Sequence, residues 1–405
     1  MAHTPLQPFA APLAGVRVLE VATMLAGPFG AAMLGDMGAD VIKIEPPCGD
    51  ESRGIGPGIG NDSGFFVGVN RNKRGIVVDL SKPEGREIFY RLVRTADILV
   101  ENVRHRAKRK LGVTYEEVSG VKPGIIVISV SAFGQDGPSA DRPGIDCVAQ
   151  AFSGLMGITG EKGGRPLRAG AYVADATCAN LVAFAAMLGL WVRGRDGIGQ
   201  RIGISLIDGM IHLQPSQVGQ FFLSGFVQPR LGNSSPFYAP YGTFRCRDGR
   251  EIQIAAFNDR FFKNLCKAIG RDDLAGDPRF RSGENRLARV EELNEIIQGC
   301  FSAMDSTEMM RALIEADVMA SPVNGYAETF ADPQVRHNLM AVEVDHARAG
   351  RIRVGGVPVK LNKTPGSVRR APPALGQHTG EVLEELGIPR AEIEKLNAAG
   401  IVRLG

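Results

Sequence analysis

The first part of the chain alternates short apolar runs with longer segments that mix apolar and charged positions. Apolar runs predict β-strands at residues 16–21, 41–45, 76–80, 98–100 and 125–130. Between them, Gly27 to Met37 predicts a helix, and Pro83 opens another, because proline is tolerated in a first helical turn. Strands that alternate with helices are typical of a parallel sheet with right-handed crossovers. The pattern therefore predicts an α/β layer of Rossmann type.

The pattern changes in the second half of the chain. A long buried helix is predicted at 177–193, and a β-hairpin is predicted from Tyr241 around the turn Asp248-Gly249. Further helices are predicted at 258–268, 287–302, 307–315 and 390–400, and strands at 352–354 and 357–359. We therefore predict a large, discontinuous Rossmann-like domain (1–200 and 335–405), a small α+β domain (225–325), and linkers at 201–224 and 326–334.

Composition adds few constraints. The 405 residues are 44% hydrophobic and 22% charged, which suits a globular protein of two domains, and the net charge of +3 gives no reason to expect nucleic-acid binding. The six cysteines form no CxxC pair and the six histidines are scattered, so we predict no metal site. The start of the chain lacks the pattern of a signal peptide, and we expect reduced thiols and a cytoplasmic location.

One stretch is long enough to be considered as a membrane helix. Residues 169–192 contain a single charge, Asp175, and about 20 apolar residues are enough to span a bilayer. However, Asp175, Asn180 and two glycines interrupt the apolar character of this stretch. A buried core helix, without contact to a membrane, is the prediction.

Asp175 is the main candidate for chemistry. A strand-like segment is predicted to meet the start of a helix there, and ligands of open α/β sheets collect at such crevices. The helix dipole is expected to keep the carboxylate ionised, and an ionised carboxylate in a dry pocket can act as a nucleophile. A plain helix N-cap is the alternative, and the pattern alone leaves both open.

A nicotinamide-binding motif is missing from the first strand-to-helix turn. The turn reads LAGPFG from Leu25 to Gly30, without the spacing GxGxxG. A Rossmann-like sheet does not by itself identify a ligand, but this turn argues against a nicotinamide oxidoreductase.

Several motifs, in their order and spacing, resemble the family III CoA-transferases, the formyl-CoA transferase and carnitine CoA-transferase (CaiB/BaiF) type. The resemblance extends from residue 13 to the C-terminus. The motifs that carry it are LAGVRVLEVATMLAGPFGAAMLGDMGADVIKIEPP at the start, Asn72-Lys73-Arg74, Val100-Glu101-Asn102-Val103, Lys110-Leu111-Gly112, GQDGPSADRPGID at 134–146, Arg168-x-Gly170-x4-Asp175, PYGTF at 240–244 and LGQHTGEVLEELG at 375–387.

The resemblance implies a reaction and an assembly. In the family, the aspartate at the Asp175 position attacks an acyl-CoA thioester, and CoA then passes through an aspartyl-CoA thioester to a carboxylic acid. An acyl-CoA donor and a carboxylic acid acceptor are therefore the expected partners, with coenzyme A as a substrate rather than a permanently bound cofactor. Family members form interlocked dimers, so a homodimer is expected.

The resemblance also implies a CoA pocket. Met24, Leu25 and Ala26 match the loop that covers the nucleotide, and backbone amides beside them are expected to hold phosphate. The other positions that match CoA contacts are Asn102 and Val103 beside the CoA, Lys110 at a phosphate, and Val78 and Ser81 at the adenine and ribose.

The chain departs from the family pattern at places that bear on the substrate. Ser131 stands where the oxalate enzyme has a lysine, and residues 231–242 replace its glycine-only loop. A small dicarboxylic acid is therefore the expected acceptor, with succinyl-CoA or a similar donor. Arg168 is expected either to pair with an acyl carboxylate or to form a structural salt bridge. The basic run 104–110 is expected to be a solvated helix face or, in part, a site for CoA phosphates.

Two other functions remain as alternatives. An α-methylacyl-CoA racemase of the same family needs Gly-His-Asp, but the matching residues are Gly144-Ile145-Asp146, and isoleucine cannot transfer a proton. A CoA-binding protein without catalysis is the second alternative, and the presence of Asp175 argues against it.

Overall fold

The strands of the chain are short. A computed structural model describes residues 10–59 and 62–405. Its strands are β1 (Arg17–Val21), β2 (Asp40–Glu45), β3 (Gly58–Ile59), β4 (Asp62–Ser63), β5 (Lys73–Val78), β6 (Ile98–Glu101), β7 (Ile126–Ser131), β8 (Arg201–Ser205), β9 (Tyr241–Arg245), β10 (Glu251–Ala255), β11 (Met319–Pro322), β12 (Ala341–His346), β13 (Gly350–Gly355) and β14 (Val402–Arg403).

The helices range from a single turn to a helix of 24 residues. They are α1 (Ala26–Asp36), α2 (Gly64–Val69), α3 (Pro83–Thr95), α4 (His105–Leu111), α5 (Tyr115–Val121), α6 (Asp146–Phe152), α7 (Leu155–Ile158), α8 (Val173–Asp196), α9 (Leu206–His212), α10 (Pro215–Ser224), α11 (Asp259–Ala268), α12 (Asp272–Gly276), α13 (Gly283–Ala288), α14 (Val290–Ser302), α15 (Ser306–Glu315), α16 (Tyr326–Ala331), α17 (Pro333–His337), α18 (Thr379–Glu385) and α19 (Arg390–Ala398).

Two compact units divide the chain. One contains the described residues up to Gly154, Ala169–Pro215 and Pro333–Gly405, and the other contains Leu155–Arg168 and Ser216–Asp332. The sequence pattern assigns 155–168 to the large domain, but this segment belongs to the second unit. The reason is local hydrogen bonding, because the Arg230 guanidinium donates to the carbonyls of Gly157 and Gly164. The predicted start of the large domain, residue 1, lies outside the described residues.

A seven-stranded sheet forms the centre of the first unit, in the order β14-β5-β2-β1-β6-β7-β8. Neighbouring strands are parallel except for β14, which pairs with β5 in the antiparallel direction. The predicted α/β class with a parallel sheet is thus confirmed. The prediction of a linker at 201–224 is wrong, because β8 adds a strand there and α9 follows it. The run RIGIS of β8 has only two apolar residues, which gives little strand signal.

One face of the sheet packs against α3, α18 and α19. The apolar residues of α3 lie at 88, 89, 92 and 93, the spacing of one helical face, and all four are buried. They join a core with residues of β1, β2, β5 and β6, whose strands are buried almost throughout. The other face carries α1 and α8, which approach closely at Gly30: an added Cβ there would lie 2.6 Å from Val182 Cβ.

The second unit is a small α+β structure. Its antiparallel sheet has the order β11-β10-β9, and the β9–β10 hairpin with its turn at Asp248-Gly249 confirms the predicted hairpin. Helices α11, α14 and α15 bury their apolar faces in one core with this sheet.

The prediction of a strand at 357–359, in the first unit, is wrong. The hairpin in this part of the chain pairs β12 with β13, and β13 ends at Gly355.

Helix α8 is longer than predicted and buried on one face only. Its small residues are buried, among them Ala179, Val182 and Gly189, whereas Phe184, Leu188 and Trp191 are exposed. The prediction of a buried core helix is therefore confirmed for one face of α8 and is wrong for the other. Among the described residues, α8 is the one helix that has the length and apolar composition of a membrane span, properties that the core helix of a soluble protein shares.

Candidate active site

The strand order places a crevice between β1 and β6. From β1 the chain builds the sheet in one direction through β2 and β5, and from β6 in the other direction through β7 and β8. Ligands of open α/β sheets bind at the carboxyl ends of the strands at such a reversal. The loops that follow β1 and β6 contain Met24 and Asn102, two of the residues predicted to bind CoA.

Asn102 joins these two loops. Its Oδ1 accepts a hydrogen bond from the Thr23 N–H at 2.9 Å, and its Nδ2 donates to the Thr23 carbonyl at 2.8 Å. The side-chain amide is thus engaged with the backbone. In the structure, Asn102 therefore fixes the loop that follows β1. The family resemblance alone predicted instead that its side chain lines the CoA.

Met24 adopts an unusual backbone conformation in that loop. Its φ is 69°, in the left-handed region that residues with a side chain rarely adopt. The Asp50 carboxylate accepts a hydrogen bond from the Met24 N–H at 3.2 Å. Leu25 and Ala26, the next predicted residues, are buried where α1 begins. Asn102 and Asp50 therefore hold the conformation of this loop from two sides.

Asp50 belongs to a buried group of charges beneath the loop. Lys43 Nζ lies 2.7 Å from Asp50 Oδ2 and 2.8 Å from Glu20 Oε1, and Lys73 Nζ lies 2.6 Å from Glu20 Oε2. Burial lowers the pKa of Lys73 to about 8, since the opposing effect of Glu20 is reduced by the nearby Lys43. Removal of one partner would leave a buried charge uncompensated, so these residues fix Asp50 firmly.

Asp175 is the third residue of α8 and is half-buried. The residue at the N-cap is Tyr172, whose side chain makes no capping hydrogen bond, and residues 165–172 form no strand. The expectations of an N-cap aspartate and of a preceding strand are therefore both wrong. The capping acceptor comes from elsewhere in the chain: Asp146 Oδ2 accepts from the Ala174 N–H at 2.8 Å and from the Asp175 N–H at 3.2 Å.

Electrostatics at Asp175 differ from the expectation based on the helix dipole. Burial, and next to it the negative charge of Asp146, raise the pKa of Asp175 to about 7. The first turn of α8 thus does not hold the carboxylate fully ionised at neutral pH. Cys178, one turn further on, donates from Sγ to the Ser205 carbonyl at 3.3 Å. Burial and the nearby Asp175 raise the pKa of this thiol to about 12, which makes it unreactive.

The remaining predicted residues lie in or directly after strands β5, β6 and β7 of the sheet. Val103 follows β6, half-buried, and its N–H donates to Glu101 Oε2. Ser131 ends β7, and its Oγ accepts from the Gly134 N–H. By contrast, Val78 is 1% exposed in the core and pairs with Val402, so its side chain is not available to a ligand. Ser81 is exposed beyond β5, bonded to Asp79.

The basic run 104–110 is not one uniform helix face. Lys108 is buried, and its Nζ lies 2.6 Å from both Glu101 Oε1 and Gln135 Oε1. Arg106 pairs with Asp141 at the surface. Lys110 is exposed in the last turn of α4, and its contact with a CoA phosphate stays a prediction.

Arg168 belongs to a different compact unit from Asp175. It is exposed at the end of the segment 155–168, in the second unit, whereas Asp175 belongs to the first. Its predicted pairing with an acyl carboxylate stays a prediction. Within residues 10–59 and 62–405, no group of three or more histidine, cysteine or acidic residues has the arrangement of a metal site.

Asp50 and Asp146 are the residues that sequence reasoning missed. Both accept hydrogen bonds from backbone N–H groups that are distant in the sequence. The partner of Asp50 is 26 positions away, and the two partners of Asp146 are 28 and 29 positions away. Local patterns carry no signal for such contacts. Asp146 enters the sequence analysis only as the last residue of two motifs, the family motif at 134–146 and the triplet Gly144-Ile145-Asp146 compared with the racemases.

Comparison with known proteins shows which family the chain belongs to. The sequence model of CoA-transferase family III matches residues 13–379 of the chain. The chain belongs to CoA-transferase family III. Both the proposed nucleophile and the loop that follows β1 lie within the matched residues.

Relatives of this CoA-transferase match over most of their length. The succinate–glutarate CoA-transferase of Agrobacterium fabrum strain C58 is 38% identical over 384 residues, 93% of this chain and 96% of that protein. The succinyl-CoA:glutarate CoA-transferase of Mus musculus is 34% identical over 394 residues, 96% and 90% of the two chains. A CAIB/BAIF family protein from Brucella suis has a similar crystal structure, with a TM-score of 0.86 at 33% identity, over 93% of this chain and 100% of that one.

This family III chain is therefore a transferase whose substrates are CoA thioesters, and the reading as a CoA-binding protein without catalysis is disfavoured. The racemase reading is disfavoured as well, because Ile145, at the position that would carry the racemase histidine, offers no group that can exchange a proton.

Proposed function

We propose that this CoA-transferase moves CoA from succinyl-CoA, or a similar acyl-CoA, to a small dicarboxylic acid, with Asp175 as the nucleophile. The observation that carries the proposal is the Asp175 carboxylate itself, half-buried in the first turn of α8 with a pKa raised to about 7. A carboxylate that is poorly stabilised by its surroundings is more basic, and a more basic carboxylate attacks a carbonyl carbon more readily.

The reaction proceeds by two exchanges at Asp175. An oxygen of the ionised carboxylate attacks the donor thioester, the C–S bond breaks, and CoA leaves as a thiolate. The thiolate then attacks the aspartyl carbonyl of the mixed anhydride, which releases the donor acid and leaves an aspartyl-CoA thioester. The acceptor carboxylate displaces CoA from this thioester to form a second anhydride. Attack of the thiolate on the acceptor carbonyl gives the new thioester and frees Asp175.

The protonation state of Asp175 sets the pH dependence of the first step. Only the ionised form attacks, and with a pKa of about 7 the ionised fraction falls as the pH falls through neutrality. The value of kcat/KM for the acyl-CoA should therefore rise through about pH 7 and level off above it. An unshifted aspartate would already be fully ionised at pH 6.

The choice of a dicarboxylic acid rests on the relatives and on the departures from the oxalate enzyme. The names of the two relatives above pair succinate or succinyl-CoA with glutarate. In this chain Ser131 ends β7 where the oxalate enzyme has a lysine, and residues 231–242 are not a glycine-only loop. Both departures argue for an acceptor longer than oxalate.

A substrate panel tests the proposal. The enzyme is incubated with succinyl-CoA and one acid at a time, and new thioesters are measured by mass spectrometry. Glutarate is matched with pentanoate, which has the same chain length but one carboxylate. We expect glutaryl-CoA and free succinate in equal amounts, far less pentanoyl-CoA, and no transfer by Asp175→Asn. Equal use of pentanoate would contradict the dicarboxylate specificity, and transfer by Asp175→Asn at the wild-type rate would contradict the role of Asp175.

A further inference from the structure

The first turn of α8 is held by a side chain from another helix. The first N–H groups of a helix have no partner within the helix, and they are usually satisfied by a capping side chain just before it. Here Tyr172 supplies no such acceptor. Asp146, the first residue of α6, takes its place, with Oδ2 at 2.8 Å from the Ala174 N and 3.2 Å from the Asp175 N.

Asp146 is itself fixed in position. It is 4% exposed, and its Oδ1 accepts a hydrogen bond from Gln150 Nε2 at 2.6 Å. Gln150 is fully buried, and its Oε1 accepts from the Ala169 N–H at 2.9 Å. The pair Asp146 and Gln150 therefore binds both the beginning of the segment that leads into α8 and the first turn of α8.

The same arrangement decides how the charge on Asp175 is stabilised. A carboxylate in the first turn of a helix usually gains from the free N–H groups there. In α8 two of these groups, those of Ala174 and Asp175, already serve the carboxylate of Asp146. The other titratable groups that act near this turn are the Cys178 thiol, one turn further on, and the Asp208 carboxylate on α9. They offer no positive charge that would replace the lost stabilisation.

We propose that Asp146 is the positioning residue of the nucleophile: its carboxylate fixes the first turn of α8 and leaves the Asp175 carboxylate without support from two of its N–H groups. The inference rests on the proposed role of Asp175. Asp146 does not touch the substrate in this scheme; it sets the geometry and the basicity of the group that does. Because like charges disfavour each other's ionised form, removal of the Asp146 charge should lower the pKa of Asp175.

Two variants separate the charge from the hydrogen bonds. Asp146→Asn keeps an oxygen that can accept from the Ala174 and Asp175 N–H groups but removes the charge. Its new amide nitrogen, however, would face the Gln150 nitrogen, donor against donor. The double variant Asp146→Asn, Gln150→Glu removes this conflict: the introduced carboxylate accepts from the introduced amide and still accepts from the Ala169 N–H. It also restores the negative charge, one helical turn away on α6.

The readout is the rate at which CoA becomes attached to Asp175 in a single turnover with saturating succinyl-CoA and no acceptor, measured by intact-protein mass spectrometry as a function of pH. The rate should rise with pH to a plateau as Asp175 ionises. For Asp146→Asn we expect the midpoint of this rise to lie about one pH unit lower than in the wild type, and the rate on the plateau to fall severalfold. In the double variant the midpoint should return part of the way to the wild-type value. If Asp146→Asn does not fold, Asp146→Ser replaces it, since a serine hydroxyl is also a capping acceptor.

The results distinguish this inference from the proposed function. A folded Asp146→Asn enzyme with the wild-type midpoint would overturn the inference, even if its rate were lower, because a purely structural cap would change the rate alone. That outcome would leave the role of Asp175 intact. Absence of any CoA adduct on Asp175 in the wild-type enzyme would instead contradict the proposed function, whatever the variants do.

Discussion

Both the oxygen and the nitrogen of the Asn102 side-chain amide form hydrogen bonds with the backbone of Thr23. Its replacement by alanine would leave the Thr23 N–H and carbonyl without these partners, at a cost of about 1–3 kcal/mol of stability. The loop with Met24 would lose one of its two fixed points, and we expect the KM for acyl-CoA to rise more than kcat falls.

The matched control for Asn102→Ala is Asn264→Ala, which removes one exposed hydrogen bond to the Asp317 carbonyl in the second unit. It should leave both kinetic constants at the wild-type values. A wild-type KM for Asn102→Ala would contradict the positioning role of Asn102.

Residues differ in how far the sequence reveals their roles. Asp175 could be found from the sequence because it is the single charge in a long apolar stretch. The same stretch gave the wrong electrostatic expectation, since the N–H groups of the first turn are taken by Asp146, which is 29 positions away in the chain. Asn102 could be located from its motif, but its partner Thr23 is 79 positions away, and only the fold reveals it.

Among the elements, α1 and α8 depend on each other through small residues. A Cβ added at Gly30 would lie 2.6 Å from Val182 Cβ and 3.0 Å from the Ala179 carbonyl oxygen, closer than packed atoms tolerate. Gly30→Ala should push α1 away from α8 and destabilise the protein by about 1–3 kcal/mol. Since α1 follows the loop with Met24 and α8 carries Asp175, catalytic efficiency should fall as well.

Gly120→Ala is the matched control for Gly30→Ala. Gly120 lies in the exposed part of α5, and an added Cβ would meet no atom within 4 Å. Because alanine favours helices, this variant should be as stable as the wild type or slightly more stable. The midpoints of denaturant unfolding compare the two variants. Equal midpoints would show that α1 and α8 adapt to the extra methyl group.

The strands of the central sheet could be predicted because most are buried on both faces and therefore read as continuous apolar runs. Strand β8 was not predicted, since Ile202 and Ile204 are its only apolar residues. Its pairing with β7 joins segments that are distant in the sequence. For α8 the apolar composition predicted a helix. It did not predict which face is buried, because apolar residues lie on all sides of the helix.

For the whole molecule, we propose that the exposed face of α8 is covered by a second copy of the chain. Phe184 is 61% exposed, Leu188 48% and Trp191 70%, and the spacing of 4 and 3 residues places them on one face. A contiguous apolar face of this kind marks an interaction surface. We expect sedimentation to show a dimer for the wild type. Trp191→Glu should weaken its association about tenfold or more.

The control for Trp191→Glu is Lys395→Glu, which introduces the same charged group at an exposed position of α19. It should sediment like the wild type. A monomeric wild-type enzyme, or a Trp191→Glu variant that associates as strongly as the wild type, would contradict a dimer through α8. A cytoplasmic location stays a prediction.

Asp175 is proposed to carry the CoA that this CoA-transferase moves. The most direct measurement is the mass of the intact enzyme after mixing with succinyl-CoA in the absence of an acceptor, followed by peptide mapping. We expect an added mass equal to CoA less one water, located on the peptide that contains Asp175, and its loss when glutarate is added. Asp175→Asn, which keeps the shape of the side chain, should show no adduct. An adduct on another residue, or full transfer activity without any adduct on Asp175, would contradict the account.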